Sequence, residues 1–227
     1  MDLRAGRRER LVEYANLLGS YDRANVIGTR DPGEILLAHV LDSLSCFLYE
    51  PLRRAWRVAD VGSGGGLPGI PINIVGVDLS TTLVESTGKK ARFLQYVADS
   101  LSLEGIQVAN TRAEDLGRSR EHRGEYDVVT SRAVARLSVI AEYAVPLLKV
   151  GGGAIAMKSR VEPDELTEAK GAARALGAEV AEVRAVGMLP EVGDKARNLV
   201  IIQKVEETPQ HYPRRSGTAA KKPLGAS

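Results

Sequence analysis

The chain has 227 residues, of which 44% are hydrophobic and 26% charged, and a formal net charge of +2. These values are typical of a soluble globular protein with one α/β domain of ordinary size and short appendages. No segment approaches the ~20 consecutive apolar residues that span a bilayer, and the charged N-terminal segment lacks the apolar stretch of a secretory signal. We therefore expect a cytoplasmic protein.

Metal chemistry is not expected from the cysteine and histidine content. Cys46 is the only cysteine, which excludes an internal disulfide and a multi-cysteine zinc site. The histidines His39, His122 and His211 lie far apart and show no ligand spacing.

Two helices are predicted ahead of the first strand, one over about residues 6–19 and one from Asp31 to about Tyr49. Asp31 has the character of an N-cap, and Pro32 at the first helical position and Glu34 in the first turn support the same start. We expect residues 1–56 to form a helical extension packed on the rest of the chain.

Strands and helices alternate from residue 57 onward. The predicted strands are RVADV, TTLVE, IQVAN, YDVVTS, GGAIAMK and two late segments over 179–186 and 197–205. Helices are predicted over 88–103, 136–149 and 162–177, and the segment TRAEDLG is predicted to be a loop. This alternation predicts a doubly wound, mostly parallel, seven-stranded Rossmann-like α/β sheet over residues 57–207. The last strand has no helix before it, so we expect it to be inserted antiparallel.

The last twenty residues, 208–227, form a basic tail. They carry Arg214, Arg215, Lys221 and Lys222 and no acidic residue. Such a segment suits a polyanion, although a solvated flexible terminus is an equally good interpretation of the charges alone. We expect the tail to be flexible.

A glycine-rich loop follows the first strand in the segment VADVGSGGGLPGIP, residues 58–71. Five glycines within eight residues allow the backbone to lie directly against a ligand. Gly64, Gly66 and Gly69 satisfy the dinucleotide pattern G-x-G-x-x-G. Asp60, just before the glycines, suits a cationic amino group better than a diphosphate. The pattern favours S-adenosylmethionine, with a dinucleotide or a structural turn as alternatives.

Further site candidates lie at the ends of the next three strands, where ligands of open α/β sheets bind. Glu85 ends the second strand, nineteen residues after Gly66, where an acid accepts hydrogen bonds from ribose hydroxyls. The backbone of Ala113 and Glu114 can present polar groups to an adenine edge. Arg132 ends the fourth strand and is a further candidate at the same edge of the sheet.

Three other polar residues have two interpretations each. His39 and Asp42 lie one helical turn apart on one face, and a helix-packing pair is at least as good an interpretation as a catalytic one. Lys158, at the end of a strand, faces either the site or solvent.

The motifs DVGSGGGLPGIP, LVESTGKKARFL, TRAED, VTSRA and YPRRSGTAAKKPL resemble the RsmG family, also called glucose-inhibited division protein B. The resemblance extends from Asn25 to Leu224 and includes RDPGEILLAHVLDSL. It implies a class I methyltransferase fold. Members of that family use S-adenosylmethionine to methylate N7 of one guanine in 16S ribosomal RNA, near the decoding region.

Residue by residue, the resemblance implies cofactor contacts at Gly62, Leu67, Ala113, Glu114 and Arg132, with Glu85 on the ribose; Asp60 and Gly64 belong to the same loop. Leu67 stands where many members have phenylalanine. The RNA candidates are Arg132, Tyr212, Arg214, Arg215, Lys221 and Lys222. Removal of residues 208–227 is expected to weaken RNA binding while leaving cofactor affinity nearly intact. The expected partner is 16S ribosomal RNA within the 30S subunit or an assembly intermediate, and the expected protein is a monomer.

No catalytic residue is predicted, because guanine N7 carries a lone pair and no proton and needs no general base. A small-molecule methyltransferase shares the cofactor loop but has no use for the basic tail. A nicotinamide-dependent dehydrogenase remains a less favoured alternative.

Overall fold

A single mostly parallel sheet is the centre of the fold. The computed structural model describes residues 5–187 and 197–225. In this part of the chain the strands are β1 (Arg57–Val61), β2 (Ser80–Val84), β3 (Ile106–Ala109), β4 (Tyr126–Arg132), β5 (Leu148–Lys158), β6 (Ala178–Val186) and β7 (Arg197–Lys204). Their order in the sheet is β3-β2-β1-β4-β5-β7-β6. β7 pairs antiparallel with β5 and β6, and the other pairs are parallel. The predicted α/β fold class is confirmed.

The strand order reverses between β1 and β4. The chain runs outward from β1 to β2 and β3, and then returns to place β4 on the other side of β1. Ligands of such sheets bind beyond the carboxyl ends of the strands at this reversal. β1 and β2 are buried along four of their five residues, because helices cover both faces of the sheet.

The helices are α1 (Ala5–Ser20), α2 (Pro32–Ile35), α3 (Asp42–Leu44), α4 (Gly69–Val75), α5 (Gly88–Ser100), α6 (Ala113–Leu116), α7 (Leu137–Ala144), α8 (Pro163–Ala175) and α9 (Thr218–Lys221). Three 3₁₀ turns cover Ser45–Leu48, Glu50–Arg54 and Val145–Leu147. None of the described helices is long and apolar enough to cross a membrane. The segment TRAEDLG, expected to be a loop, contains the short helix α6.

The first helix, α1, packs on the sheet domain through its apolar face. Leu11, Tyr14 and Leu18 are buried in the same hydrophobic core as β1 and α4. The Tyr14 hydroxyl donates a hydrogen bond of 2.6 Å to the carbonyl of Gly65. The N-terminal residues therefore support the glycine-rich loop directly.

The second predicted helix, residues 31–49, begins as expected but is not a regular α-helix. The Asp31 side chain accepts a 2.8 Å bond from the Gly33 N–H and caps α2. A π-helical segment, Leu36–Leu41, then separates α2 from α3. The His39 carbonyl accepts bonds from the Ser43 hydroxyl (2.7 Å) and the Arg132 guanidinium (3.2 Å). These two hydrogen bonds to the His39 carbonyl occur together with the wider π-helical turn, and π-helical turns are frequent at functional sites.

The C-terminal tail is docked on the sheet domain, which corrects the expectation of a flexible segment. The Arg123 guanidinium donates to the carbonyls of Thr208 (2.8 Å) and Tyr212 (2.6 Å). Further along, Arg214 pairs with Glu142 of α7. The tail is ordered because its backbone and one of its charges find partners on the domain.

Candidate cofactor and substrate sites

The glycine-rich loop leaves β1 in a conformation that side chains would block. Gly62 has a φ of +71°, and a Cβ there would lie 2.6 Å from Cγ2 of Val134. At Gly69, a Cβ would lie 2.8 Å from the Cβ and Oδ2 atoms of Asp60. Glycine at these positions lets the loop turn sharply and pack against the ends of β1 and β4.

Asp60 holds this loop in place from within the protein. Its side chain is fully buried, Oδ2 accepts a 3.1 Å bond from the Gly69 N–H, and Oδ1 accepts a 2.9 Å bond from the Thr130 hydroxyl. Asp60 therefore supports the loop through both carboxylate oxygens, and its contact with a cationic amino group of the cofactor stays a prediction.

Burial raises the pKa of Asp60 to about 6, although hydrogen bonds from Thr130, Ser63 and Gly69 oppose the shift. Since the unfolded value is about 3.9, the native state binds more protons between pH ~4 and ~6. We expect the Asp60 contribution to the free energy of unfolding to be largest below pH ~4 and to fall by about 3 kcal/mol as the pH rises to ~6.

Denaturant unfolding of the wild type and of Asp60→Asn between pH 3.5 and 7.5 measures this contribution as a difference between the two proteins. Asp164→Asn, which removes an exposed carboxyl at the start of α8, controls for the loss of one negative charge. A wild-type minus Asp60→Asn difference that is independent of pH would refute the assignment.

Glu85 joins the loop to the end of β2. Its Oε2 atom accepts a 3.0 Å bond from the Gly64 N–H, and Oε1 accepts a 2.7 Å bond from the Thr87 N–H. The residue is only 6% exposed, yet it lines a cavity. Each carboxylate oxygen has two acceptor positions, so both can accept a further bond from a ligand.

This first cavity lies beyond the carboxyl ends of β1, β2 and β3 and has a volume of about 240 Å³. It brings together four of the predicted cofactor residues: Gly62, Glu85, Ala113 and Glu114. The other residues of its wall were not assigned a cofactor contact from the sequence, namely Val61, Val84, Ser86, Thr111, Arg112, Val134, Ala135, Tyr143 and Ala220. Leu67 packs in the hydrophobic core at 7% exposure, and its contact with the cofactor stays a prediction.

The tail contributes to this cavity through Glu114 and Ala220. The Glu114 carboxylate is buried, and its Oε1 atom accepts a 2.7 Å bond from the Gly217 N–H. Ala220 of α9 lines the cavity itself. This geometry argues against the expectation that removing residues 208–227 leaves cofactor affinity nearly intact, because a wall of the cavity would be lost with them.

Arg132 does not line the first cavity. It lines a second one, of about 270 Å³, beyond the carboxyl ends of β4 and β5. Its guanidinium contacts Asp42 Oδ2 at 3.3 Å and His39 Nδ1 at 2.8 Å. His39 and Asp42, which the sequence left undecided, are thus brought together with Arg132.

The second cavity is rich in cations. The Nε atom of Arg197 also donates a hydrogen bond of 3.3 Å to Asp42 Oδ2. The Nζ atom of Lys158 lies 2.8 Å from Oε1 of Glu165. Burial lowers the pKa of Arg132, with the Asp42 carboxylate opposing the shift. Burial raises the pKa of Asp42, and Arg132 and Arg197 oppose that change.

The RNA candidates on the tail divide into two groups. Arg215, Lys221 and Lys222 are exposed. Arg214 is engaged with the buried Glu142, and the hydrogen bonds with that carboxylate raise its pKa. The Tyr212 ring is half-buried against the core and tilted against His211, with ring centroids 4.2 Å apart, so it offers less of a stacking surface than predicted.

No group of three or more His, Cys, Asp or Glu side chains that could hold a metal ion occurs among residues 5–187 and 197–225.

Comparisons with solved structures give the same fold. A putative RNA methyltransferase from Pyrococcus horikoshii superposes with a TM-score of 0.59 at 13% identity, over 89% of this chain and all of that one. A mutant of MtNAS in complex with S-adenosylmethionine gives a TM-score of 0.56 at 17% identity, over 87% of this chain and 73% of that one. At these identities the likeness concerns the fold alone.

Sequence comparisons are more specific. Residues 7–208 match the family described as rRNA small subunit methyltransferase G, GidB. The "Ribosomal RNA small subunit methyltransferase G" of Rubrobacter xylanophilus is 57% identical, over 94% of this chain and 82% of the relative. That of Roseiflexus castenholzii is 41% identical, over 95% and 91% of the two chains. The chain belongs to the rRNA small subunit methyltransferase G (GidB) family.

Proposed function

We propose that this protein uses S-adenosylmethionine to methylate N7 of one guanine of 16S ribosomal RNA, near the decoding region. The observation that carries the proposal is the pairing of Glu85 with the glycine-rich loop at the strand-order reversal, in a chain that matches the family over residues 7–208. The relatives are named for ribosomal RNA of the small subunit. The acceptor atom, N7, comes from the resemblance stated above.

The residues of the first cavity fit the nucleoside part of the cofactor. A carboxylate with spare acceptor positions, Glu85, stands at the end of β2, where a ribose binds in this type of sheet. Gly62 contributes backbone to the cavity wall, and its missing Cβ leaves room for the Val134 side chain beside it. Val134, Ala135 and Ala113 supply apolar walls for an adenine ring.

The reaction needs positioning more than proton transfer. When bound, the cofactor would supply a methyl group on a sulfonium centre: the methyl–sulfur bond breaks as the bond to N7 forms, S-adenosylhomocysteine is released and the positive charge passes to the base. Guanine N7 attacks with its own lone pair, so the protein has no proton to remove. Holding the two reactants in line accounts for up to ~7–11 kcal/mol of the barrier in well-oriented reactions. We infer that the site residues bind and orient, and that none acts as a general base.

We assign RNA contact to the exposed cations of the tail, Arg215, Lys221 and Lys222. Lys221 directly follows Ala220, which lines the first cavity. We expect the triple variant Arg215→Ala, Lys221→Ala, Lys222→Ala to bind 30S subunits at least tenfold more weakly. The slope of log Kd against log salt concentration should decrease by roughly 2, since each lost phosphate contact removes about 0.7.

We expect the affinity of this variant for S-adenosylhomocysteine to equal that of the wild type. A truncation of the tail would differ, because it would also remove Ala220 from the cavity wall. Arg54→Ala, which removes an 85% exposed cation ahead of β1, is the matched control. If the triple variant bound RNA like the wild type at every salt concentration, the tail would have no part in RNA binding.

The physiological partner we infer is the 30S subunit or an assembly intermediate in the cytoplasm, bound by a monomer. Transfer of labelled methyl from S-adenosylmethionine to 30S subunits, naked 16S RNA and 70S ribosomes tests the substrate class. Label in 16S RNA supports the proposal. Turnover of small acceptors without labelling of RNA would favour a small-molecule methyltransferase.

Calorimetry with S-adenosylhomocysteine and NAD tests the cofactor separately. We expect binding of the first only. Binding of NAD alone would favour the dehydrogenase alternative and refute the proposed function.

A further inference from the structure

The chain that leaves β4 contributes to the walls of both cavities. Arg132 and Ala133 line the second cavity, and Val134 and Ala135 line the first. Ala133 has a φ of +53°, which is uncommon for a residue with a Cβ. Such conformations cluster at functional sites, and here the turn joins residues that line the second cavity to residues that line the first.

Asp42 has an unusual environment within the second cavity. Its side chain is 2% exposed, and both Arg132 and Arg197 bond the same atom, Oδ2. The other oxygen, Oδ1, is buried and has no hydrogen-bond partner among the described residues. A buried carboxylate oxygen without a donor is costly, so a ligand that brings a donor would be stabilised there.

The base of the proposed reaction brings such donors. Guanine presents the exocyclic N2 amino group as a donor, whereas an A·T pair presents only acceptors at the corresponding groove positions. The N2 group lies on the edge of the base opposite N7. A residue that recognises N2 therefore contacts the base at the edge away from the methyl donor.

We propose that Asp42 selects the target base by accepting, at Oδ1, a hydrogen bond from the N2 amino group of a guanine held in the second cavity. This inference rests on the proposed guanine-N7 function. The cavity volume of about 270 Å³ is close to the lower end of ligand sites, ~300–1,000 Å³, and therefore suits one base. Arg132, Arg197 and Lys158 line the same cavity and supply donors for the carbonyl O6.

The test uses 30S subunits reconstituted with inosine, which lacks the N2 amino group, in place of the methylated guanine. For the wild type we expect kcat/KM to fall about ten- to hundredfold on inosine, the usual effect of a hydrogen bond to a charged group. In Asp42→Asn the amide oxygen still accepts the bonds of the two arginines, so the amide N–H groups face the guanine. That variant should lose a similar factor on guanine and show a guanine-to-inosine ratio near one.

Asp164→Asn is the matched control and should keep the wild-type ratio. Binding of S-adenosylhomocysteine and the Tm of Asp42→Asn show whether its cofactor site and fold are intact. Should that variant fail to fold, the wild-type comparison decides alone. Equal rates on guanine and inosine in the wild type, or an unchanged ratio in Asp42→Asn, would overturn the inference about Asp42. Absence of any methylated guanine with the natural subunit would instead overturn the proposed function.

Discussion

Arg214→Ala is expected to destabilise the protein by about 3–5 kcal/mol and to lower its Tm by roughly 10 °C. The Glu142 side chain is fully buried and accepts bonds from both the backbone N–H and the guanidinium of Arg214. Truncating the arginine leaves a buried carboxylate without its counter-charge. Thermal unfolding and denaturant titration measure the loss.

The reciprocal variant, Glu142→Ala, should cost less, because the Arg214 side chain is 25% exposed and can turn to solvent. The double variant should be no less stable than Arg214→Ala alone. Arg215→Ala, one residue further along and exposed, is the matched control with a Tm near that of the wild type. If Arg214→Ala unfolded like this control, the tail would not be anchored by the Glu142 pair.

Glu85→Gln is expected to weaken binding of S-adenosylhomocysteine about ten- to hundredfold, with a parallel loss of kcat/KM. The change removes the charge from the acceptor assigned to the ribose hydroxyls, and bonds to charged groups contribute about 1.5–3 kcal/mol. It also places a donor beside the N–H of Gly64 or Thr87, which Glu85 now binds. Calorimetry measures the affinity.

Glu179→Gln on β6, an exposed carboxylate at the far edge of the sheet, is the control for this experiment. Its affinity for S-adenosylhomocysteine should match that of the wild type. Wild-type affinity in Glu85→Gln, with an unchanged Tm, would exclude Glu85 from the cofactor site.

The sheet could be predicted from the sequence because its signals are local. Each parallel strand is a short apolar run followed by a helix, and the antiparallel β7 could be recognised because no helix precedes it. The irregular helix after Asp31 could not be predicted in the same way. Its π-helical segment accompanies bonds to the His39 carbonyl, one of which comes from Arg132, ninety-three positions away.

The candidate site could be predicted from the sequence for those residues that closely follow the end of a strand. Gly62, Glu85, Ala113 and Glu114 meet in one cavity because parallel strands end at one edge of the sheet. The position of Asp60 before the glycines did not reveal that its carboxylate is buried and bonded to Gly69 and Thr130. The docked tail depends on Glu142, a buried acid whose partner the sequence alone did not reveal.

The pairing of Asp42 with two arginines was equally invisible in the sequence. Arg132 and Arg197 come from different strands and converge on one carboxylate oxygen. The spacing of His39 and Asp42 showed only that both lie on one helical face. Charge clusters of this kind depend on tertiary contacts, which single-sequence patterns do not encode.

The most direct test of the central claim is to map the methyl group that the purified protein adds to 30S subunits from a strain lacking it. We expect one modified nucleotide in 16S ribosomal RNA, a guanine near the decoding region, with the methyl on N7, detected by mass spectrometry of nuclease fragments. A methyl on another atom or another base, or no transfer to 16S ribosomal RNA by protein that binds S-adenosylhomocysteine, would contradict it.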